Sequence, residues 1–215
     1  MNIAVIGTGM VGRLIAVELS KKYQVYAIDN NKSNLDKLRK NNAKIITKKI
    51  DVKNEDFLKS LDDTDLVVNC VPGFMGFETS KKILEKKTCV DISFMPEDCN
   101  YLKTVAENAN TALYPDAGVA PGLSNMIVGN LISKNKLKEV KIMVGGLPLE
   151  KNPPWNYKAP FSPIDVIEEY TRPARIKENG SIKTVDALTG LINFEFESVG
   201  KLTISILRHQ TKYLG

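Results

Sequence analysis

The stretch VIGTGMVG, residues 5–12, places Gly7, Gly9 and Gly12 directly after an apolar run and at the head of a helical pattern. That spacing suits the cradling of a pyrophosphate. Gly7 permits a tight turn, Gly9 lets a phosphate approach the backbone, and Gly12 lets the helix lie close on the strand. Met10 and Val11 then offer backbone N–H groups at the positive end of the helix dipole. Asp29 ends the second apolar run, where an acid would receive the adenosine ribose hydroxyls, and Asn30 follows it. A carboxylate there repels a 2′-phosphate, so NAD is expected over NADP, with Lys32 close enough to soften the preference. The plain alternative is glycines as packing punctuation and Asp29 as a turn residue. Val71, Pro72 and Gly73 follow the fourth apolar run and Ser93 the fifth, each either at the ligand edge of a sheet or in an ordinary turn. Asp51 either reaches the adenine edge or caps the helical segment containing Phe57 and Leu58.

The elements that must position these residues follow from the pattern. Short apolar runs at residues 3–6, 25–28, 44–46, 66–69, 89–92 and 111–114 alternate with amphipathic stretches. One of these, residues 11–20, carries Leu14, Ile15 and Leu19 on one face. Strands apolar almost throughout and separated by helices imply a parallel sheet covered on both sides, a Rossmann-type doubly wound α/β domain with right-handed crossovers. Near Pro121 the pattern changes. A helix is expected there, then a β run at residues 140–144 and a proline-rich loop over 145–163. Ser162 and Pro163 open a short helix, on which Glu168 and Glu169 read as a solvated face. Asn179-Gly180 signals a two-residue hairpin turn, and a second hairpin is expected from Phe194 and Phe196 alternating with Glu195 and Glu197 ahead of Val199-Gly200. The expected division is residues 1–118 and 119–215, the second being a smaller α+β domain with a largely antiparallel sheet.

Composition bounds the function. The chain has 215 residues, of which 43% are hydrophobic and 26% charged, with a net charge of +5 carried by dispersed lysines. Without a basic block interleaved with aromatics, nucleic acid is not an expected partner. No run approaches the roughly 20 apolar residues of a membrane span, so no membrane partner is expected. Cys70, Cys89 and Cys99 lack metal-ligand spacing, so no metal is expected. They read as free thiols in a reducing, cytoplasmic compartment, those in the apolar runs being buried.

The blocks PGFMGF (72–77), VDISFMPE (90–97), DAGVAPGLSN (116–125), GGLP (145–148) and SPIDVIEEYTRPARIKENG (162–180), following the glycine motif in this order, resemble the saccharopine dehydrogenase-like family. Within it they look most like the branch of NAD-dependent lysine 6-dehydrogenases. The resemblance covers residues 1 to about 200 and implies a dinucleotide-binding domain joined to an α+β catalytic domain, usually in a homodimer. It implies an amino acid or amine as substrate and, in that branch, oxidative deamination of the lysine ε-amine with NAD. The segment 116–125 would then be both hinge and floor of the cleft; a linker touching no ligand is the alternative.

Hydride transfer needs mainly positioning, but a protonated amine must first lose a proton, which calls for a base within reach. Asp116 is the first candidate, with turn capping as its alternative. Tyr157, Lys158 and Tyr170 lie in blocks that resemble the catalytic domain, as does Arg172, whose fork suits a substrate carboxylate. His209, the one histidine, lies where the resemblance has ended. Relative to the family the second domain reads as incomplete, and an unfinished sheet is expected to self-associate. Two other readings stay open: an imine reductase of saccharopine or carboxynorspermidine type, and an inactive NAD-binding protein.

Overall fold

The computed structural model describes residues 1–146, 148–150, 152–154, 156–159, 161–197 and 200–206. The chain divides into two compact units, Met1–Ala117 and a second from Gly118 onward. In the first, β1 (Asn2–Ile6), α1 (Met10–Leu19), β2 (Gln24–Asp29), α2 (Lys32–Asn41) and β3 (Ile46–Lys49) are followed, after two 3-10 turns, by β4 (Leu66–Asn69) and α3 (Gly73–Leu84). Then come β5 (Cys89–Asp91), α4 (Lys103–Asn108) and β6 (Leu113–Tyr114). The six strands form one sheet in the order β3-β2-β1-β4-β5-β6, and every neighbouring pair is parallel.

Alternate side chains of each strand supply a different core. Ala4 and Ile6 of β1 join Phe57, Leu61, Ile83, Leu84 and Leu102 on one face. Ile3 and Val5 join Ala16, Val25, Ala27, Leu35 and Leu38 on the other. Burying a side chain of the Leu or Ile class is worth about 1.5–3 kcal/mol. Each face therefore contributes substantially, which is why these strands read as nearly continuous apolar runs.

In the second unit α5 (Leu123–Ile132) and α6 (Pro163–Thr171) precede β7 (Ala174–Glu178), β8 (Ser181–Val185), β9 (Thr189–Phe196) and β10 (Gly200–Ile206). β7 pairs antiparallel with β8, and β9 with β10, as two separate two-stranded sheets. Asn179 and Gly180 turn the first hairpin with φ of 51° and 79°. Two successive left-handed residues match the twist of the strands they join.

Several local expectations are corrected. The third strand begins at Ile46, where pairing with Tyr26 starts, and runs on to Lys49; Ile45 instead points into the core. The last strand of the sheet is only Leu113–Tyr114. Residues 140–144 form no strand, because among the described residues no strand pairs with them, and Val140, Met143 and Val144 are exposed. Leu14 does not face the sheet and is 65% exposed, because Gly12 and Ala16 set the contact face of α1. Ser162 occupies the N-cap of α6 without a side-chain cap bond, leaving Pro163 as the start signal. The segment holding Phe57 and Leu58 is a pair of 3-10 turns rather than a helix. Val199 and His209 lie outside the described residues.

Candidate functional site

The sheet order reverses direction between β1 and β4, and in open parallel sheets ligands bind beyond the strand ends at such a switch point. Gly7, just past β1, has φ +84° and donates its N–H to Ile28 O at 2.8 Å. A Cβ on it would lie 2.8 Å from Cys70 O, and one on Gly12 would lie 1.9 Å from Gly7 O. These two glycines let the loop nest between the end of β4 and the first turn of α1. Gly9 differs from both, since a Cβ there would meet nothing within 4 Å. It sits at the N-cap of α1 with φ −65°, and no side chain caps the helix. The amides of Met10, Val11 and Gly12 thus head an uncapped helix beside open space, the arrangement that receives an anion.

Asp29, the last residue of β2, braces this loop. Its Oδ2 accepts from Thr8 N at 2.7 Å, Thr8 Oγ1 at 2.8 Å and Asn34 Nδ2 at 3.3 Å. Its Oδ1 accepts from Asn31 N at 2.7 Å. A carboxylate oxygen has two lone pairs, so Oδ1 retains acceptor capacity suited to a sugar hydroxyl. Thr8, 1% exposed, couples Asp29 to the loop from within the glycine motif, a role that the glycine spacing does not signal. Asn30 is exposed and donates to Asp51 Oδ2 at 3.1 Å. Asp51 also accepts from Lys53 N at 2.9 Å. The Lys53 amide and then Asn30 hold its carboxyl below the usual range. Asp51 therefore caps a turn while remaining beside Asn30, at the edge beyond β2 and β3.

Val71 and Gly73 are buried and Pro72, the N-cap of α3, is exposed. Ser93, read from the sequence as either at the ligand edge of the sheet or in an ordinary turn, turns its polar groups inward. It is 4% exposed, and both its N–H and its hydroxyl donate to Asp91 Oδ1, at 2.7 and 2.6 Å. It belongs to a polar cluster with Asn69, Ser80 and Asp91. The signal in the sequence was a polar residue closing each of two otherwise apolar buried runs, Asn69 in LVVN and Asp91 in CVD.

Asp116, past the end of β6, is half-buried with φ 52°, a left-handed conformation that aspartate tolerates. In the second unit Lys158 is exposed in the loop before α6. Tyr170 meets Tyr157 edge-on with ring centroids 6.5 Å apart. Partial burial, followed by the neighbouring Tyr170, pushes the Tyr157 hydroxyl up to about 12, away from service as a base near neutral pH. The Arg172 guanidinium is ion-paired with Glu168 one helical turn earlier. That pair corrects the reading of Glu168 and Glu169 as a solvated face: the Glu168 side chain is 25% exposed, and burial raises the Glu169 carboxyl above its usual range.

Known proteins share both units. Residues 3–120 match the saccharopine dehydrogenase NADP binding domain, and residues 118–214 the saccharopine dehydrogenase C-terminal domain. Alpha-aminoadipic semialdehyde synthase of Arabidopsis thaliana is 29% identical over 141 residues, covering 62% of this chain and 13% of its own length. The mitochondrial enzyme of that name from Rattus norvegicus is 26% identical over 210 residues, covering 90% of this chain and 22% of its own length. The apo saccharopine dehydrogenase (L-Glu forming) of Saccharomyces cerevisiae has the same fold, with a TM-score of 0.68 at 18% identity, covering 95% of this chain and 49% of that one. The chain thus spans less than half the length of each of these relatives. With a domain match over more than half of its residues, the chain belongs to the saccharopine dehydrogenase family.

Proposed function

We propose that this chain binds a nicotinamide dinucleotide on the glycine loop and serves an oxidoreductase acting at a carbon that bears nitrogen in a lysine-related substrate. The observation that carries this reading is the open space at Gly9 above the uncapped start of α1. The residues present fit the cofactor: first-turn amides for the pyrophosphate and Asp29 Oδ1 for a ribose hydroxyl. When bound, the nicotinamide supplies the hydride acceptor. An anionic Asp29 favours NAD, while the name of the matched domain and the nearby Lys32 speak for NADP.

For the substrate, oxidative deamination of the L-lysine ε-amine is the first reading. Loss of hydride from the carbon bearing the ε-nitrogen, then hydrolysis of the imine, yields aminoadipic semialdehyde and ammonia. A saccharopine-type reaction is the second. The same oxidation on a secondary amine whose nitrogen is shared by lysine and glutamate gives the same semialdehyde with release of glutamate, and the names of the two matched domains support it. In either case Asp116 is the proposed base.

The test is calorimetry with NAD+ and NADP+, paired with reduced-cofactor absorbance on adding L-lysine or saccharopine. Turnover of lysine supports the first reading, and turnover of saccharopine alone supports the second. Binding without turnover points to a cofactor-binding protein. No binding of either dinucleotide overturns the assignment.

A further inference from the structure

The parallel sheet encloses a carboxylate that the proposed reaction does not use. Asp91, the last residue of β5, is 0% exposed. Its Oδ2 accepts from Asn69 Nδ2 of β4 at 2.7 Å and from Ser80 Oγ of α3 at 2.5 Å. Its Oδ1 accepts from the N–H and hydroxyl of Ser93 in the loop that follows. Asn69 Nδ2 also reaches Ser80 Oγ at 3.0 Å and Gly76 O at 3.3 Å. The carboxylate therefore ties two strand ends, helix α3 and the Ser93 loop into one unit. The fit is close, since a Cβ on Gly76 would stand 1.9 Å from Ser93 Oγ. Three residues before Gly76, α3 begins at Gly73, at the strand-end edge that also carries the glycine loop.

A purely structural tie would not need a charge. The polar groups that hold the carboxylate are neutral: Asn69 from β4, Ser80 from α3 and Ser93 from its own loop. The titratable groups facing it are the thiols of Cys70, past β4, and Cys89, on its own strand, both kept neutral because burial pushes them up. Asn69 Oδ1 is buried and has no hydrogen-bond partner. An acid at Asp91 has a proton to donate and one acceptor fewer. The proton can go to the Ser80 or Ser93 hydroxyl, which must then stop donating to the carboxylate, or to the waiting Asn69 oxygen once its amide turns over, which pulls Nδ2 off Ser80 and Gly76.

We propose that Asp91 is a proton-responsive positioning residue of the dinucleotide cleft, whose carboxylate holds α3 and the Ser93 loop in the binding arrangement and whose protonation releases them. This rests on the cofactor reading above. Burial raises the Asp91 carboxyl to about 6, while the hydroxyls of Ser80 and Ser93 and then Asn69 oppose the rise. The switch therefore falls within a range that a cell or an assay can visit.

The experiment is calorimetric titration of NAD+ into the full chain and its Asp91→Asn variant between pH 5 and 8, with circular dichroism at each pH. NAD+ is the probe because it lacks the 2′-phosphate that itself titrates near 6. The parent should bind about tenfold more weakly at pH 5 than at pH 8, as expected for one linked proton, while Asp91→Asn should be flat across the range. Ser80→Ala removes one donor to the charged form and should move the parent's midpoint to higher pH. It tests the proposal even if Asp91→Asn does not fold. Parent binding that is flat from pH 5 to 8, or an equal pH dependence in Asp91→Asn, overturns the proposal and leaves the cofactor reading standing. If NAD+ does not bind at pH 8, NADP+ is titrated in its place, and no binding of either overturns the cofactor reading, and this inference with it.

Discussion

Replacing Gly9 by alanine tests the proposal that Gly9 serves a ligand while Gly7 and Gly12 serve the fold. Gly9 has φ −65°, ordinary for an L-residue, and a Cβ there would meet nothing within 4 Å. The added methyl should change stability little. Lost freedom in the unfolded chain contributes about 0.4–1 kcal/mol, offset by several tenths because alanine is a poorer N-cap than glycine. The methyl would occupy the space through which a pyrophosphate approaches. Losing one hydrogen bond from a loop amide to a charged oxygen costs about 1.5–3 kcal/mol, or roughly tenfold to a hundredfold in affinity. Gly12→Ala should do the reverse. Its Cβ would sit 1.9 Å from Gly7 O, so α1 must move off the loop, and overpacking of this kind costs about 1–3 kcal/mol. Urea melts paired with NAD+ calorimetry distinguish the two. A Gly9→Ala protein that binds NAD+ as tightly as the parent, or that loses stability as Gly12→Ala does, refutes the reasoning.

Two further outcomes concern stability. Asp91 is raised from 3.8 to about 6 chiefly by burial, so the folded chain binds the proton more tightly than the unfolded chain. This group's contribution therefore falls as pH rises from about 4 to about 6, and ionising it costs roughly 3 kcal/mol by neutral pH at about 1.4 kcal/mol per unit. Urea unfolding from pH 4 to 7 should show Asp91→Asn gaining stability relative to the parent across that interval; a constant difference would contradict it. Gly180→Ala should lower stability by about 1–2 kcal/mol, because Gly180 holds φ +79° although a Cβ there would meet nothing within 4 Å. Thermal melting of the β7–β8 hairpin's far-ultraviolet signal measures it.

Much of the first unit was legible because its signals are local. A glycine motif between a strand and a helix, an acid closing β2 and apolar runs without alternation each reflect a short-range requirement: a turn, a close approach, or burial on both faces. The hairpin at Asn179-Gly180 was legible for the same reason, since two left-handed residues in succession demand those residue types. The run at 140–144 has strand-forming residues, but a strand exists only where another lies beside it, and no local signal reports that. Arg172 carries the chemistry of a carboxylate anchor, and its ion pair with Glu168 one helical turn away is a contact that only the folded helix reveals.

The sequence alone determined the doubly wound class, the place of the glycine loop and the acid at the end of β2, because backbone conformation and period dictate these residue by residue. Tertiary structure alone decided that Thr8 joins Asp29 to the loop, that Gly9 faces open space while Gly7 and Gly12 face backbone, and that Asp91, Ser80, Asn69 and Ser93 meet. Those four residues come from two strand ends, a helix and a loop as many as 24 positions apart. Only the packing of α3 on the sheet brings their donors onto one carboxylate, and only burial there makes its charge costly.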